Sequence, residues 1–303
     1  MKQDMANFLE LVREVRIGEL LKDAGDTSYE ASGVYLKDGC LHIIFDNNPR
    51  LLRFKLDWRD SGEGPVLLDL KGTRAGYEDI TYLSSANRWY CLIEAAETQS
   101  GVSMPAVDEF DESFVFIKRY WLDFPLKGGN KGFEGLASLR LAGNDYLFGL
   151  CEGNKCKSGS AGIKPGKGRI QVFKKALETW EHVATIRLPK SVLFKDYSSL
   201  DFRNGFITVL SQATSALWIG RLRAQPVGLE DLFEDDGELF WFPRDDKGRV
   251  MYCNPEGVTW VGNDHLVVVS DKAKADQPGR CARKDQSIHI FKIPAAGSRT
   301  KPI

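Results

Sequence analysis

Five oxygen-bearing side chains recur at matching places along the 303-residue chain: Ser32, Glu78, Glu134, Ser198 and Glu256. They are 46, 56, 64 and 58 residues apart, and each precedes a small or polar residue and then an aliphatic one. Carboxylate and hydroxyl oxygens without histidine or cysteine suit Ca²⁺ or Mg²⁺ better than Zn²⁺. If the fold brings the three glutamates together, either their pKa values rise or a cation neutralises them. We predict a divalent-cation site, with calcium ahead of magnesium; the alternative is that the glutamates bond backbone amides or buried waters.

Each of these residues opens a repeat of two short apolar strands joined by a turn of Gly, Asn, Asp or Ser. A third strand follows in every repeat, starting at Leu51, Ser113, Arg169, Ser215 and Ser287. Fourth strands begin at Val66, His182 and Leu239, and that of the second repeat is placed near residues 121–124. The spacing is that of a four-stranded propeller blade. We predict an all-β, five-bladed β-propeller that forms a single domain over residues 1–303.

The fifth repeat ends after its third strand, so its fourth strand has to come from elsewhere. The N-terminal segment that starts at Phe8, FLELVREV, has the apolar character of a strand. Pairing it with the last repeat closes the propeller and removes exposed sheet edges. An amphipathic helix over residues 5–22 is the alternative.

The first strand of each propeller blade lines the central channel, and the second strand ends on the face where the first begins. The second strands end at Asp46, Glu94, Glu152, Gln212 and Asp271, which should encircle the mouth of the channel. Asp46, Glu94, Glu152 and Asp271 are therefore the candidate general bases for metal-assisted hydrolysis.

Long loops beside the predicted mouth carry charge of both signs. Residues 153–169 and 272–286 are basic, whereas residues 95–112 are acidic. Basic loops over a bound cation favour an anionic small-molecule ligand. Solvated loop charge is an equally good reading of the same pattern.

The order Ser, Glu, Glu, Ser, Glu resembles the calcium-activated nucleotidase (apyrase) family of five-bladed propellers, which hold a central calcium with the same residue types. EASGV at 30–34, YSSLDF at 197–202 and PEGVTW at 255–260 carry the resemblance. The EGL and EGV motifs are also similar to phytase-like and SdiA-regulated propellers. Apyrases place Asp-Asp-Arg-Thr-Gly after the second strand, where this chain has FDNNPR at 45–50. The resemblance thus implies the metal ring more than it implies nucleotide hydrolysis.

Composition narrows the class of protein. A formal net charge of −1 argues against nucleic-acid binding, and no apolar run is long enough to cross a membrane. The N-terminus lacks the apolar core of a secretory signal, so a cytoplasmic location is the default, with secretion left open if a signal was removed. The six cysteines are expected to be reduced, with a Cys156–Cys281 bridge as the alternative.

These expectations favour a metal-dependent hydrolase acting on an anionic small molecule such as a phosphoester or phosphoanhydride. The alternative is a non-enzymatic propeller that calcium stabilises and that binds a ligand or a protein partner. Neither a GxSxG elbow nor a phosphate-binding GxxxxGK[ST] loop is present. The four histidines all lie in strand-like runs, where a structural role is expected.

Overall fold

The structure is a computed structural model that describes residues 7–23, 27–57, 64–70, 76–98, 100–126, 132–234 and 236–295. The predicted domain boundaries at 1 and 303 lie outside the described residues, so the single domain stays a prediction. In the described part of the chain, the strands form five separate sheets of four or five strands. The predicted all-β, five-bladed propeller is therefore confirmed.

The elements follow one another in simple order along the chain. The N-terminal segment contains β1 (Asn7–Phe8), β2 (Glu10–Arg16) and helix α1 (Ile17–Leu21). Blade 1 contains β3 (Ala31–Lys37), β4 (Cys40–Phe45), β5 (Arg50–Lys55) and β6 (Val66–Asp69). Blade 2 contains β7 (Ile80–Leu83), β8 (Arg88–Glu97), β9 (Ser103–Phe110) and β10 (Phe116–Trp121).

The remaining blades follow the same plan. Blade 3 contains β11 (Phe133–Leu141), β12 (Asn144–Cys151), a loop with the short helix α2 (Gly159–Gly162), β13 (Arg169–Lys175) and β14 (Trp180–Arg187). Blade 4 contains β15 (Ser199–Arg203), β16 (Phe206–Ser211), β17 (Ala216–Arg221) and β18 (Glu238–Trp241). Blade 5 contains β19 (Pro255–Val261), β20 (His265–Ser270), helix α3 (Gly279–Ala282) and β21 (Ser287–Lys292). None of the described helices is long and apolar enough to cross a membrane.

The apolar core is divided among the interfaces between blades. Alternating apolar residues on the two faces of each sheet bury themselves against both neighbouring blades. Each of the five interfaces between described blades holds one buried cluster, such as Phe148 and Trp218 between blades 3 and 4. The innermost strands β3, β7, β11, β15 and β19 contact one another in circular order, which places their side chains around a common axis.

The N-terminal segment closes the propeller as predicted. Strand β2 pairs antiparallel with β21 and supplies the fourth strand of blade 5. Strand β1 adds a parallel edge to β18 in blade 4. The predicted alternative, a helix over residues 5–22, was wrong, since only Ile17–Leu21 is helical in the described part of that segment.

Blade 2 departs from the expected strand order. Its third strand is β9, so the segment that starts at Ser113 contains the fourth strand rather than the third. The supposed acidic loop at 95–112 is largely sheet, and Asp108 is buried in a two-point ion pair with Arg119. The misplacement arose because charged residues in MPAVDEF hid a strand whose acids are neutralised by neighbouring basic side chains.

The cysteines also differ from expectation. Disulfides join Cys151 to Cys156 and Cys253 to Cys281, whereas Cys40 and Cys91 are free. The prediction of six reduced thiols was therefore wrong, and so was the Cys156–Cys281 alternative. One bond joins the end of β12 to the loop that follows it, and the other joins the residues before β19 to helix α3, a proximity that sequence spacing does not show.

A half-buried polar contact joins the N-terminal closing strand to the last blade. Glu14 accepts hydrogen bonds from Lys284 Nζ at 2.9 Å and from His289 Nδ1 at 2.9 Å. Burial alone would raise the pKa of Glu14, but the bonds from His289 and Lys284 outweigh it and lower this pKa to about 2. A carboxyl group whose pKa is lowered by folding stabilises the folded state at pH values above its ordinary pKa of 4.5. This stabilisation is lost as the pH falls towards 2.

We predict that Glu14→Gln lowers the free energy of unfolding by about 1–3 kcal/mol at pH 7, because the Lys284 ammonium loses its counter-charge and His289 loses a charged acceptor. The deficit should shrink between pH 4.5 and 2, where the wild-type carboxylate also becomes neutral. Urea unfolding across this pH range measures both effects, with Glu10→Gln on the exposed side of the same strand as control. Equal stability of the two variants at pH 7 would contradict the proposed closure contact.

A second prediction concerns the thiols. The protein unfolded without reductant should present two titratable thiols, those of Cys40 and Cys91, and six after reduction. A thiol titration with mass spectrometry of the alkylated protein checks this count. Six reactive thiols before reduction would refute both disulfides.

Candidate functional site

The five predicted ring residues stand at irregularities in the innermost strands. The pairing register shifts at Ser32, Glu134 and Glu256, where two residues oppose one on the second strand. In blades 2 and 4, the N–H groups of Glu78 and Ser198 bond the carbonyls of Leu92 and Leu210 just before the strands begin. A β-bulge redirects the extra side chain. Local backbone geometry therefore turns all five side chains towards the axis.

These side chains meet in an axial cavity of about 300 Å³. The cavity is lined by side chains from all five blades and their loops: Ser32, Asp46, Glu78, Glu134, Glu152, Asp196, Tyr197, Ser198, Gln212, Glu256, Asp271 and Lys274. Seven carboxyl groups thus face one ammonium group in this space. The structure brings together the whole predicted ring and three of the four predicted bases.

The fourth predicted base, Glu94, belongs to one of two tight groups of acids. The first group consists of three carboxylate oxygens that lie within 4.8 Å of one another, one each from Glu94, Glu134 and Glu152. Glu94 Oε1 also accepts a hydrogen bond from the Gly132 N–H at 2.8 Å, which fixes it beside β11. The first group therefore combines one ring residue with two mouth residues of blades 2 and 3.

The second group lies on the side of blades 1 and 5. Oxygens of Glu30, Asp46 and Asp271 lie within 4.8 Å of one another. Burial, followed by the charges of Asp271 and Glu30, raises the pKa of Asp46 to about 7. Burial raises the pKa of Asp271 to about 6, although its bond from the Lys272 N–H opposes this change.

The ring glutamates are held in an equally unfavourable environment for negative charge. Burial, followed by the charges of Glu94 and Asp46, raises the pKa of Glu78 to about 7, against the opposing effect of its hydrogen bond with Glu134. Burial and the charge of Asp271 raise the pKa of Glu256 well above its ordinary value. Gln212 Nε2 donates a hydrogen bond to Glu256 Oε1. The cavity therefore concentrates acids in a buried space that disfavours their negative charge.

The two ring serines join neighbouring blades. Ser32 Oγ donates to the carbonyl of Tyr77 at 2.6 Å, and Ser198 Oγ donates to the carbonyl of Pro255 at 3.0 Å. Because a hydroxyl donates one hydrogen and keeps two lone pairs, both oxygens retain acceptor capacity. Their chemistry fits hard-cation ligation as well as inter-blade bonding.

Sequence reasoning missed a buried carboxylate, Asp79, which directly follows the ring residue Glu78. Asp79 is 2% exposed and accepts hydrogen bonds from the Leu136 N–H at 2.9 Å and Ser199 Oγ at 3.0 Å. Burial raises its pKa well above the ordinary value. A Cβ on Gly33 would lie 2.7 Å from Asp79 Cα, so only glycine permits this approach of blades 1 and 2. Asp79 thus links blades 2, 3 and 4 at the axis.

The signal for Asp79 was present in the repeat. The residue after the ring position is glycine in blades 1, 3 and 5 and serine in blade 4, but an acid in blade 2. Glycines let the inner strands approach closely, and the single larger polar side chain fills the remaining space. An acid at a repeat position that otherwise holds glycine or serine therefore indicates a special role.

The predicted basic loops contribute less to the axial cavity than expected. Of their ten cations, Lys274 alone is among the described lining residues. Lys284 is instead paired with Glu14 on the closing strand. Arg280 donates to the Val250 carbonyl at 2.8 Å.

Comparisons with known proteins support the fold. No family model matches the chain, and no curated protein matches its sequence. The structure is similar to an α-L-arabinofuranosidase from Lactobacillus brevis (TM-score 0.51, 13% identity, covering 91% of this chain and 94% of that one). It is also similar to the PQQ-bound aldose sugar dehydrogenase from Streptomyces coelicolor (TM-score 0.50, 12% identity, 95% and 98%). A β-xylosidase/α-arabinofuranosidase from a compost metagenome, solved with xylotriose in a calcium-free form, gives a TM-score of 0.52 at 10% identity (90% and 93%). At these identities, the likeness shows a propeller fold and nothing finer; no apyrase is among these three structures.

A further buried acid, lower in the channel, provides a test of the axial electrostatics. Asp201 Oδ2 accepts hydrogen bonds from Thr259 Oγ1 at 2.9 Å and from the Trp260 N–H at 3.1 Å. Burial raises the pKa of Asp201 to about 6, against these bonds. Because folding raises this pKa, the protonated carboxyl group stabilises the folded state fully below about pH 4. That stabilisation is lost as the pH rises through 6.

We predict that Asp201→Asn raises the free energy of unfolding by about 1–3 kcal/mol at pH 7.5, because the neutral amide keeps an acceptor oxygen without the buried charge. The gain should disappear near pH 4, where the wild-type side chain is protonated. Denaturant unfolding at both pH values measures it, with the exposed Asp276→Asn as control. A destabilised variant at pH 7.5 would show that Asp201 is needed in its charged form.

Proposed function

We propose that the axial cavity holds a divalent cation, calcium ahead of magnesium, and that the protein is a metal-dependent hydrolase of an anionic small molecule. The observation that carries this proposal is the convergence of seven carboxyl groups on a 300 Å³ cavity with one lysine. Burying so much like charge is costly unless protons or a cation compensate it. A cation provides that compensation at neutral pH.

The donor set fits calcium. Ser32, Glu78, Glu134, Ser198 and Glu256 are the proposed ligands, and every one offers oxygen. Calcium takes roughly six to eight oxygen ligands, so these side chains with waters are sufficient. Magnesium demands a more regular geometry and fewer protein ligands, which makes it the second choice.

The acids at the mouth provide the remaining chemistry. A bound divalent cation would polarise a substrate oxygen and favour ionisation of an attacking water. Asp46 and Asp271 on one side, with Glu94 and Glu152 on the other, are placed to accept a proton from that water. Lys274 at the cavity wall attracts and orients a negatively charged substrate. Phosphoesters and phosphoanhydrides are the substrate classes that suit this combination best.

A non-enzymatic role is the second candidate, and the inter-blade contacts favour it. Ser32 and Ser198 each bond the backbone of the next blade, and Asp79 joins three blades. A cation bound above them would hold the blades together without turnover. Such a propeller would serve as a scaffold for a ligand or a protein partner.

The disulfides bear on where the protein acts. Such bonds form and persist in oxidising compartments and are rare in the cytosol. From Cys151–Cys156 and Cys253–Cys281, we infer a location outside the reducing cytosol, against the default drawn from the sequence.

We predict that Glu134→Gln weakens calcium binding at least about tenfold, because one ligand loses its charge. Isothermal titration calorimetry and elemental analysis of the purified protein measure the calcium affinity and the calcium content. Calcium should also raise the melting temperature of the wild type more than that of the variant. Glu97→Gln, which alters an exposed acid at the end of β8, is the control. Equal calcium retention in Glu134→Gln would refute the ring as the ligand set.

Turnover separates the two candidate functions. A panel of phosphatase, nucleotidase and lactonase substrates should show calcium-dependent hydrolysis that Glu134→Gln abolishes. Calcium binding and thermal stabilisation without turnover on the whole panel would leave the scaffold as the function.

A further inference from the structure

We propose that a second cavity, at the junction of blades 2 and 3, binds a small molecule that carries two or more negative charges. This cavity has a volume of about 630 Å³ and shares no lining residue with the axial cavity. Lys155, Lys157 and Arg169 line it together with Phe124, Gln171 and Thr185. We call it the basic cavity.

The positive charge of the basic cavity is not balanced within the described residues. None of the three lining cations forms an ion pair with a carboxylate in that part of the chain, unlike Lys175 and Lys284 elsewhere. Lys164 and Lys167 of the same loop add to the charge. The neighbouring charges of Lys155 and Lys164 lower the pKa of Lys167, which shows how closely the ammonium groups are gathered. Clustered cations without counter-charges attract an external anion.

The loop that carries these cations is fixed by a buried side chain. Asn154 is fully buried and its Nδ2 donates to the carbonyls of Gly162 at 2.8 Å and Phe194 at 3.1 Å. Its Oδ1 accepts from the Lys167 N–H at 2.9 Å and from the Tyr197 hydroxyl at 3.0 Å. One side chain thus holds both ends of the loop against blades 3 and 4. Lysines on such a loop are presented in place, which reduces the entropic cost of binding.

Close backbone packing fixes the same loop further. A Cβ on Gly153 or Gly162 would lie 2.1 Å or 2.0 Å from the Lys157 carbonyl oxygen, so both positions require glycine. Lys155 and Cys156 have φ values of 58° and 53°, a left-handed conformation that is uncommon for such residues. The Cys151–Cys156 disulfide holds this strained pair. Strain of this kind persists only where surrounding structure enforces it and is concentrated at functional sites.

The walls of the basic cavity define the class of ligand. Its volume lies within the range of small-molecule sites, which is roughly 300–1,000 Å³. Arg169 Nη1 bonds the carbonyls of Lys167 and Gly168, which holds the guanidinium at the wall. Phe124 provides an apolar side and Thr185 a hydroxyl. Phosphate or carboxylate groups match these cations, and three cations favour a ligand that carries two or more negative charges.

Direct binding to the metal-free protein tests the proposal independently of the axial cation site. Tripolyphosphate and citrate are the two probes, so that phosphate and carboxylate chemistry are distinguished. Isothermal titration at low and moderate salt should show at least one probe binding, with affinity that falls as salt screens the charges. The probes are compared on the wild type, on Lys155→Asn/Lys157→Gln and on the exposed control Lys247→Gln. Asparagine tolerates the left-handed backbone at position 155, and melting temperature checks the fold of each variant.

We expect the double variant to bind the preferred probe at least tenfold more weakly, with Lys247→Gln unchanged. Absence of binding to both probes, or equal binding by the double variant, would overturn the proposal. Equal weakening by the control variant would also overturn it, since it would show attraction to general surface charge. Because Glu134→Gln leaves the basic cavity intact, its affinity for the probe should match that of the wild type whether or not the axial site binds calcium.

Discussion

The convergence of five inner strands on one axis is the constraint on which the rest of the structure depends. Side chains at equivalent positions of the blades are forced together there, and several of them are acids. Two buried acids of the inner strands have internal donors: Asp79 accepts from the Leu136 N–H and the Ser199 hydroxyl, and Asp201 accepts from the Thr259 hydroxyl and the backbone N–H of Trp260. At the ring, burial and the charges of Glu94 and Asp46 raise the pKa of Glu78 to about 7. The acids at the ring are therefore gathered in a buried space that disfavours their charge, and this is the basis on which we propose a cation site there.

The same constraint explains the two kinds of residue in the repeat. Bulges stand at the ring positions of blades 1, 3 and 5, and the glycine after each lets neighbouring strands approach closely, as Gly33 does at Asp79. The long loops then surround the mouth, but their charges serve different purposes. Lys274 lines the axial cavity, Lys284 pairs with Glu14 of the closing strand, and Lys155 and Lys157 line a separate cavity.

The architecture, the ring and the chain closure could be predicted from sequence because each leaves a periodic trace. Ser32, Glu78, Glu134, Ser198 and Glu256 recur at blade spacing, and the missing fourth strand of blade 5 required the N-terminus. What could not be predicted depends on contacts between distant residues. Strand β9 contains two acids that ion pairs make tolerable in a sheet, Asp108 with Arg119 and Glu109 with Arg88 and Lys175. The Cys253–Cys281 bond depends on how a loop folds back. The role of Asp79 could not be predicted because it depends on contacts with Gly33, Leu136 and Ser199, which belong to three other blades.

The first strands of the chain pair with the last ones, and this has a consequence for the order of folding during synthesis. Strands β1 and β2 leave the ribosome first, yet their partners β18 and β21 are made more than 200 residues later. Until then, the N-terminal segment and the edge of blade 5 lack their partner strands. The loop that their pairing closes spans nearly the whole chain. Contacts of such long sequence separation form slowly and leave aggregation-prone edges exposed meanwhile. The ring is thus completed last, so a truncated or stalled chain would lack both the closed edge and a finished axial cavity.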